Sequence, residues 1–114
     1  MKAPISIENA ERYIWGDACD GWHLVRHENL SIIEELMPPG TAEQRHFHER
    51  ARQFFYVLEG ELMMELDGQL HVIAARQGLE IAPRQAHQAR NGSKANVRFL
   101  VISQPPSHDD RTPA

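Results

Sequence analysis

Three histidines and a glutamine are the residues of this chain whose types and spacing could do chemistry. In HFHERARQFFYVLEG, residues 46–60, His46 and His48 stand two apart with Phe47 between them, and Gln53 follows five positions later. Side chains alternate along an extended chain, so both imidazoles share one face and Phe47 takes the other. An isolated pair of this kind is a weak sign of a metal, because half-buried surface histidines give the same pattern. A third histidine, His87 in IAPRQAHQARN, follows an apolar run and a proline turn. Three imidazoles on inward faces are hard to bury without a shared cation, and imidazole is the commonest protein ligand for divalent transition metals.

Strands must position these residues. The segments 22–27, 30–37, 53–58, 61–66, 69–74 and 97–103 are short, apolar-rich and bounded by turn residues. Asp67-Gly68 is the strongest hairpin signal, since a type I′ turn needs positive φ at both central positions. Gly60 and Asn91-Gly92-Ser93 are expected to close two further pairs, and Pro38-Pro39-Gly40 to end a strand. Residues 8–15 read as one short helix or an irregular arm. The polar tail 105–114 is expected to lie on the surface or fray. Many short strands with frequent turns imply an all-β sandwich or barrel.

Composition sets the outer bounds. With 114 residues, one domain is expected, its core at about 20–103, with an N-terminal arm and a polar C-terminal tail. A formal net charge of −4 argues against a broad phosphate-binding surface, so no nucleic-acid partner is expected. The cluster Arg45, Arg50 and Arg52 is interleaved with acids and histidines and reads as a solvated rim. Cys19 is the lone cysteine and can form no internal disulfide. The start, MKAPISIENAERY, lacks the apolar core of a signal peptide, and no apolar run approaches the roughly 20 residues of a membrane helix. A cytoplasmic protein without a membrane partner is expected.

The segment Gly40-x5-His46-x-His48-x4-Gln53-x6-Gly60 resembles the first motif of the cupin family. The segment Gly78…Ala82-Pro83-x3-His87-x3-Asn91 is similar to the second. The resemblance implies an all-β jelly-roll barrel with a divalent metal inside (Zn, Fe, Mn or Ni). His46, His48 and His87 would be ligands, and Gln53 would stand where the family usually carries glutamate. A neutral amide adds no charge, so the ion would keep its full dipositive charge and act as a stronger Lewis acid; alternatively, Gln53 only hydrogen-bonds a metal-bound water. A similar His/His/Gln/His set occurs in small cupins that open unsaturated uronate sugars. Those use an acid near the barrel mouth, whereas VRFLVISQPP here carries none in the strand. Arg84 and Ala86 depart from the second motif's usual glycine and proline. Arg84 reads as a solvated turn residue, or as one leaning over the pocket mouth toward an anionic substrate.

If Met37 faces inward as its family counterpart does, alternation brings Glu35, Ile33 and Ser31 inward too. Glu35 is then the candidate base, or an anchor for Arg90 or a water; on the other reading it is an outer-face charge. Phe55, Val57, Phe99 and Val101 are candidates to line an apolar pocket or to be plain core. Trp22 and His23 are ambiguous: the tryptophan is a candidate to close that pocket or to pack at a subunit contact. His27, His71 and His108 read as surface residues. Phe54, Tyr56 and Leu58 point away from the lumen, and a soluble monomer would tend to bury such a stripe. A homodimer is therefore expected, to which the arm with Tyr13, Ile14 and Trp15 could add. Two functions remain open: a metal-dependent isomerase, lyase or dioxygenase acting on a small polar organic molecule, or a non-catalytic module binding a sugar-like ligand.

Overall fold

The computed structural model describes residues 3–114. Eleven strands and no helix occur among the described residues: β1 Glu11–Trp15, β2 Cys19–Arg26, β3 Ser31–Met37, β4 His46–Phe47, β5 Arg52–Glu59, β6 Glu61–Leu66, β7 Gln69–Ala74, β8 Gly78–Ile81, β9 His87–Arg90, β10 Val97–Gln104 and β11 Thr112–Pro113. They form two antiparallel sheets, a six-stranded one in the order β1-β2-β3-β10-β5-β8 and a five-stranded one in the order β11-β4-β9-β6-β7. The chain crosses repeatedly between the sheets, the layout of a jelly roll.

Period-two patterning decides which faces meet. On β5, Gln53, Phe55 and Val57 are buried, whereas Phe54 and Leu58 on the other face are 38% and 41% exposed. On β10, Val97, Phe99, Val101 and Ser103 are all buried, with the alternate positions more open. Met37, Leu62, Met64 and Ile81 complete the core between the sheets. Each large apolar side chain removed from water there contributes roughly 1.5–3 kcal/mol before entropy is counted.

Turn chemistry matches the strand ends. Asp67 and Gly68, with φ of 51° and 87°, close the β6–β7 hairpin. Gly60 and Asn91-Gly92-Ser93 do not close hairpins. Each carries the chain from one sheet to the other, because β5 and β6, and likewise β9 and β10, belong to different sheets. Gly60 has φ of 84°, and a side chain there would collide with the Asn96 carbonyl. Asn91 braces the second corner by donating Nδ2–H to the carbonyls of Met37 at 2.9 Å and Ala95 at 2.7 Å.

The arm is neither helix nor irregular. Residues 11–15 pair with β2 of the same chain as an edge strand. The tail is not frayed either: β11 pairs with β4 beside the histidines. No helix among the described residues is long and apolar enough to cross a membrane.

Candidate metal centre

The short strand β4 carries His46, whose direct cross-strand partner on β9 is His87. His48 lies two residues further along on the same face. The imidazole centroids are 4.4 Å apart for His46 and His87, 4.8 Å for His46 and His48, and 5.6 Å for His48 and His87. One nitrogen from each ring lies within 4.8 Å of the others, and all three residues are buried.

Hydrogen bonds assign those nitrogens. Nδ1 of His46 lies 2.7 Å from the Gln44 carbonyl, Nδ1 of His48 lies 2.8 Å from the Asp110 carbonyl, and Nδ1 of His87 lies 2.9 Å from the Gln85 carbonyl. A carbonyl only accepts, so each Nδ1 carries the hydrogen and each Nε2 keeps its lone pair. Backbone partners of this kind set the tautomer that a metal ligand requires. Nε2 of His48 and of His87 are buried with no hydrogen-bond partner among the described residues. Burial, above all, holds the three imidazoles neutral. Burial pushes His46 down to about 3 against the hydrogen bond to the Gln44 carbonyl, with smaller lowering effects from His87, Arg111 and His48, and His48 and His87 are lowered in the same direction.

Gln53 faces the histidines from β5 of the other sheet. Its Nε2 donates to Ser103 Oγ at 3.0 Å and to Ser107 Oγ at 3.4 Å. The amide is thereby turned so that Oε1 is the free end, and Oε1 is also buried without a partner. Orphaned buried acceptors are costly, and here three of them belong to one small cluster. The set of three imidazole nitrogens and one amide oxygen fits a divalent transition ion.

Beside this cluster opens a cavity of about 370 Å³, with His46, His48 and Gln53 in its wall. Ile33, Phe55 and Val101 supply apolar wall, and Tyr13, Trp15, His23, Glu35, Glu43 and Arg111 supply most of the polar wall. Glu35 is enclosed by protein yet open to the lumen. Burial raises it to about 7, against a hydrogen bond from Tyr13 and the charge of Arg111. Tyr13 Oη donates to Glu35 Oε2 at 2.8 Å. The tyrosine is pushed well above its ordinary range, first by burial and then by the Glu35 carboxylate, so it remains a donor. Glu43 is raised to about 8, also chiefly by burial, although it accepts the Ala89 N–H at 2.8 Å.

The structure brings Glu35 into the cavity together with Phe55 and Val101. Val57 and Phe99 lie deeper, in the closed core, and are not part of the wall. Trp22 is not in the wall either. It pairs with Glu34, whereas Gly21 pairs with Glu35 and His23 with Ile33, so strand parity sends Trp22 to the opposite face and His23 to the lumen. The guanidinium of Arg98 lies 5.7 Å from the Trp22 ring. His108, expected on the surface, lines the cavity. Arg84 pairs with Glu49 at 3.0 Å, is 77% exposed and stays outside the cavity. Glu35 is partnered by Tyr13 rather than by Arg90. The cavity residues that sequence reasoning did not assign to a pocket include Tyr13, Trp15, Arg26, Glu43, Ser107, His108 and Arg111. The alternation of Tyr13 and Trp15 in ERYIW offered a signal; Glu43, Ser107, His108 and Arg111 come from loops and the tail, where no period exists.

A family model described as a cupin domain matches residues 33–103, more than half of the chain. The chain belongs to the cupin family. This cupin is 30% identical over 81 residues to an uncharacterized protein of Methanocaldococcus jannaschii, covering 70% of this chain and 65% of that one. It is 34% identical over 70 residues to polyketide synthase CurC of Streptomyces cyaneus, covering 61% of this chain and 46% of that one. The aligned stretches thus span less than two thirds of either relative. Among solved structures, the polyketide cyclase RemF of Streptomyces resistomycificus superposes with a TM-score of 0.86 at 18% identity, covering 100% of this cupin and 86% of that chain. That likeness is one of fold.

Proposed function

We propose that this cupin is a metal-dependent enzyme that moves a proton on a small polar organic molecule carrying a carbonyl, in isomerase, lyase or cyclase chemistry. One observation carries the reading: His46, His48 and Gln53 of the donor cluster and Glu35, a carboxyl poised near neutrality, line the same cavity. His46, His48, His87 and Gln53 would hold the ion (Zn, Fe, Mn or Ni), which, when bound, draws electron density from an oxygen of the substrate. All four donors are neutral, so the ion's charge is not offset by its ligands.

Glu35 then takes a proton from the carbon beside that carbonyl. A base near pH 7 combines a useful ionised fraction with useful driving force, and positioned acid–base catalysis contributes about 10²–10⁴ in rate. Tyr13 holds the carboxylate in place from behind. Ile33, Phe55 and Val101 exclude water from one side, which strengthens each electrostatic contact within. CurC and RemF bear names of polyketide enzymes. Closing a ring in a polyketone by carbon–carbon bond formation also begins with removal of a proton beside a carbonyl.

The test is deuterium wash-in. Metal-loaded protein in D2O is given a panel of 1,3-dicarbonyl and 2-hydroxycarbonyl compounds, and exchange at carbon is followed by NMR. Exchange that disappears on chelation and in Glu35→Gln is the expected result. Saturable binding with no exchange across the panel overturns the enzyme and leaves a non-catalytic ligand-binding module.

A further inference from the structure

Two of the three histidines take their Nδ1 partner from the segment that leads into their own strand, two residues earlier, at Gln44 and Gln85. His48 does not. Its partner is the carbonyl of Asp110, 62 residues away in the tail. The same residue ties down the turn that follows His48: its Oδ1 accepts the N–H of Glu49 at 3.1 Å, and its Oδ2 accepts those of Arg50 at 2.8 Å and Ala51 at 2.9 Å. Burial works against the Asp110 carboxylate, yet these three backbone donors hold it below its usual range.

Other parts of the tail reach Gln53 and His46. Ser107 Oγ receives Gln53 Nε2–H at 3.4 Å. Arg111 donates to the Gln44 carbonyl at 3.2 Å, the same oxygen that receives His46 Nδ1–H. In β11, Pro113 pairs with His46 itself. Three of the four donors are therefore braced by one stretch, Ser107–Pro113, in which the Asp110 side chain alone holds the three backbone N–H groups that follow His48.

We infer that Asp110 is the positioning residue of the metal centre, fixing the tautomer and aim of His48 from outside the strands that carry the ligands. The inference rests on the metal reading above but not on any reaction. Without the Asp110 carboxylate, three backbone N–H groups lose their acceptor and the carbonyl that holds His48 loses its place. His48 is then free to turn and to exchange its proton between Nδ1 and Nε2.

The test compares wild type, Asp110→Ala, Asp110→Asn and Asp109→Ala as a control, since the Asp109 side chain is 90% exposed. Zinc affinity is measured by competition with a chromophoric chelator. The His48 tautomer is read from ¹⁵N shifts of the metal-free protein. We expect Asp110→Ala to lose 10–100-fold in zinc affinity, the range for removing an outer partner of a ligand. His48 should become a tautomer mixture while His46 and His87 remain Nδ1-protonated, and the control should match wild type. Asp110→Asn retains the shape and one acceptor oxygen, so it should give an intermediate loss; it carries the test if the alanine variant does not fold. Undiminished zinc affinity, or an unchanged His48 tautomer in a variant that merely melts earlier, overturns the inference and leaves the metal reading standing. Wild type that fails to bind zinc overturns both.

Discussion

Tyr13 donates its hydroxyl hydrogen to Glu35 Oε2 at 2.8 Å across a strand to which neither residue belongs. Tyr13 pairs with Gly21 on β2, and Gly21 pairs with Glu35 on β3, so the three form one row across the sheet. The missing side chain of Gly21 is the space in which the tyrosine ring lies, and a Cβ there would overlap it. A glycine inside a strand often marks such a close approach.

Removal of the Tyr13 hydroxyl should raise Glu35 further. A hydrogen bond to the charged form favours that form, so Tyr13→Phe takes away a term that holds the carboxyl down. We predict an upward shift of about one unit from the value near 7, read by ¹³C NMR of the side-chain carboxyls. Gly21→Ala should displace the ring, with the same direction of shift and a stability cost of about 1–3 kcal/mol from overpacking. An unmoved Glu35 titration in both variants would refute the pairing.

Gln53→Glu should leave the fold intact and tighten metal binding by adding an anionic donor to three neutral ones. Ser103 and Ser107 can turn their hydroxyls to donate to the new carboxylate, so no buried donor is stranded. Ser103→Ala, by contrast, removes the hydroxyl that turns the amide of Gln53 and should weaken binding several-fold. Chelator competition measures both, and a weaker Gln53→Glu protein would place Gln53 outside the ligand set.

The metal-free protein should have a stability maximum on the acid side of neutrality, between pH 4.5 and 6.5. His46 has a native value of about 3 against an ordinary 6.5, so the unfolded chain binds more protons as pH falls. That stability is present above pH 6.5 and is lost toward pH 3. Glu35 and Glu43 have native values of about 7 and 8 against an ordinary 4.5, so the native state holds protons that the unfolded chain has released. Their stabilisation is complete below pH 4.5 and is lost as pH rises through 7 and 8. Between pH 4.5 and 6.5 the two effects oppose each other, so melting temperature should fall below pH 4.5 and decline again from pH 6.5 to 8, the latter less steeply in Glu35→Gln. A melting temperature that climbs steadily from pH 7 to 9 would contradict this.

The outer face of the six-stranded sheet predicts pairing of two copies. Phe54 is 38% exposed, Ile102 lies directly across from it and Ile32 beyond that, while Leu100 stands opposite Tyr56. The Phe54 and Tyr56 rings stack at 6.2 Å. Among the described residues Phe54 and Leu58 stay 38% and 41% exposed, and an isologous contact would hide the stripe on both copies. Light scattering should return twice the 13.0 kDa chain mass, and Phe54→Glu should return the single mass. A monomeric wild type at micromolar concentration would dismiss the dimer.

The sequence by itself determined the longer strands of the barrel and which candidate donors share a face. Period two places His46 with His48, and Gln53 with Phe55 and Val57, on one face wherever the strand ends up, because alternation is a property of the backbone alone. The same period carried Glu35 inward with Met37. It could not say that Trp22 turns outward and His23 inward, because that parity comes from how β2 registers against β3, and the pairing is irregular between His23 and Val25. Tyr13 and Glu35 meet only because three strands align a tyrosine, a glycine and a glutamate in one row. Asp110 meets His48 only because a tail 62 residues away folds back onto β4. Such contacts depend on cross-strand register and chain return, which leave no period in the sequence; tertiary structure alone decided them.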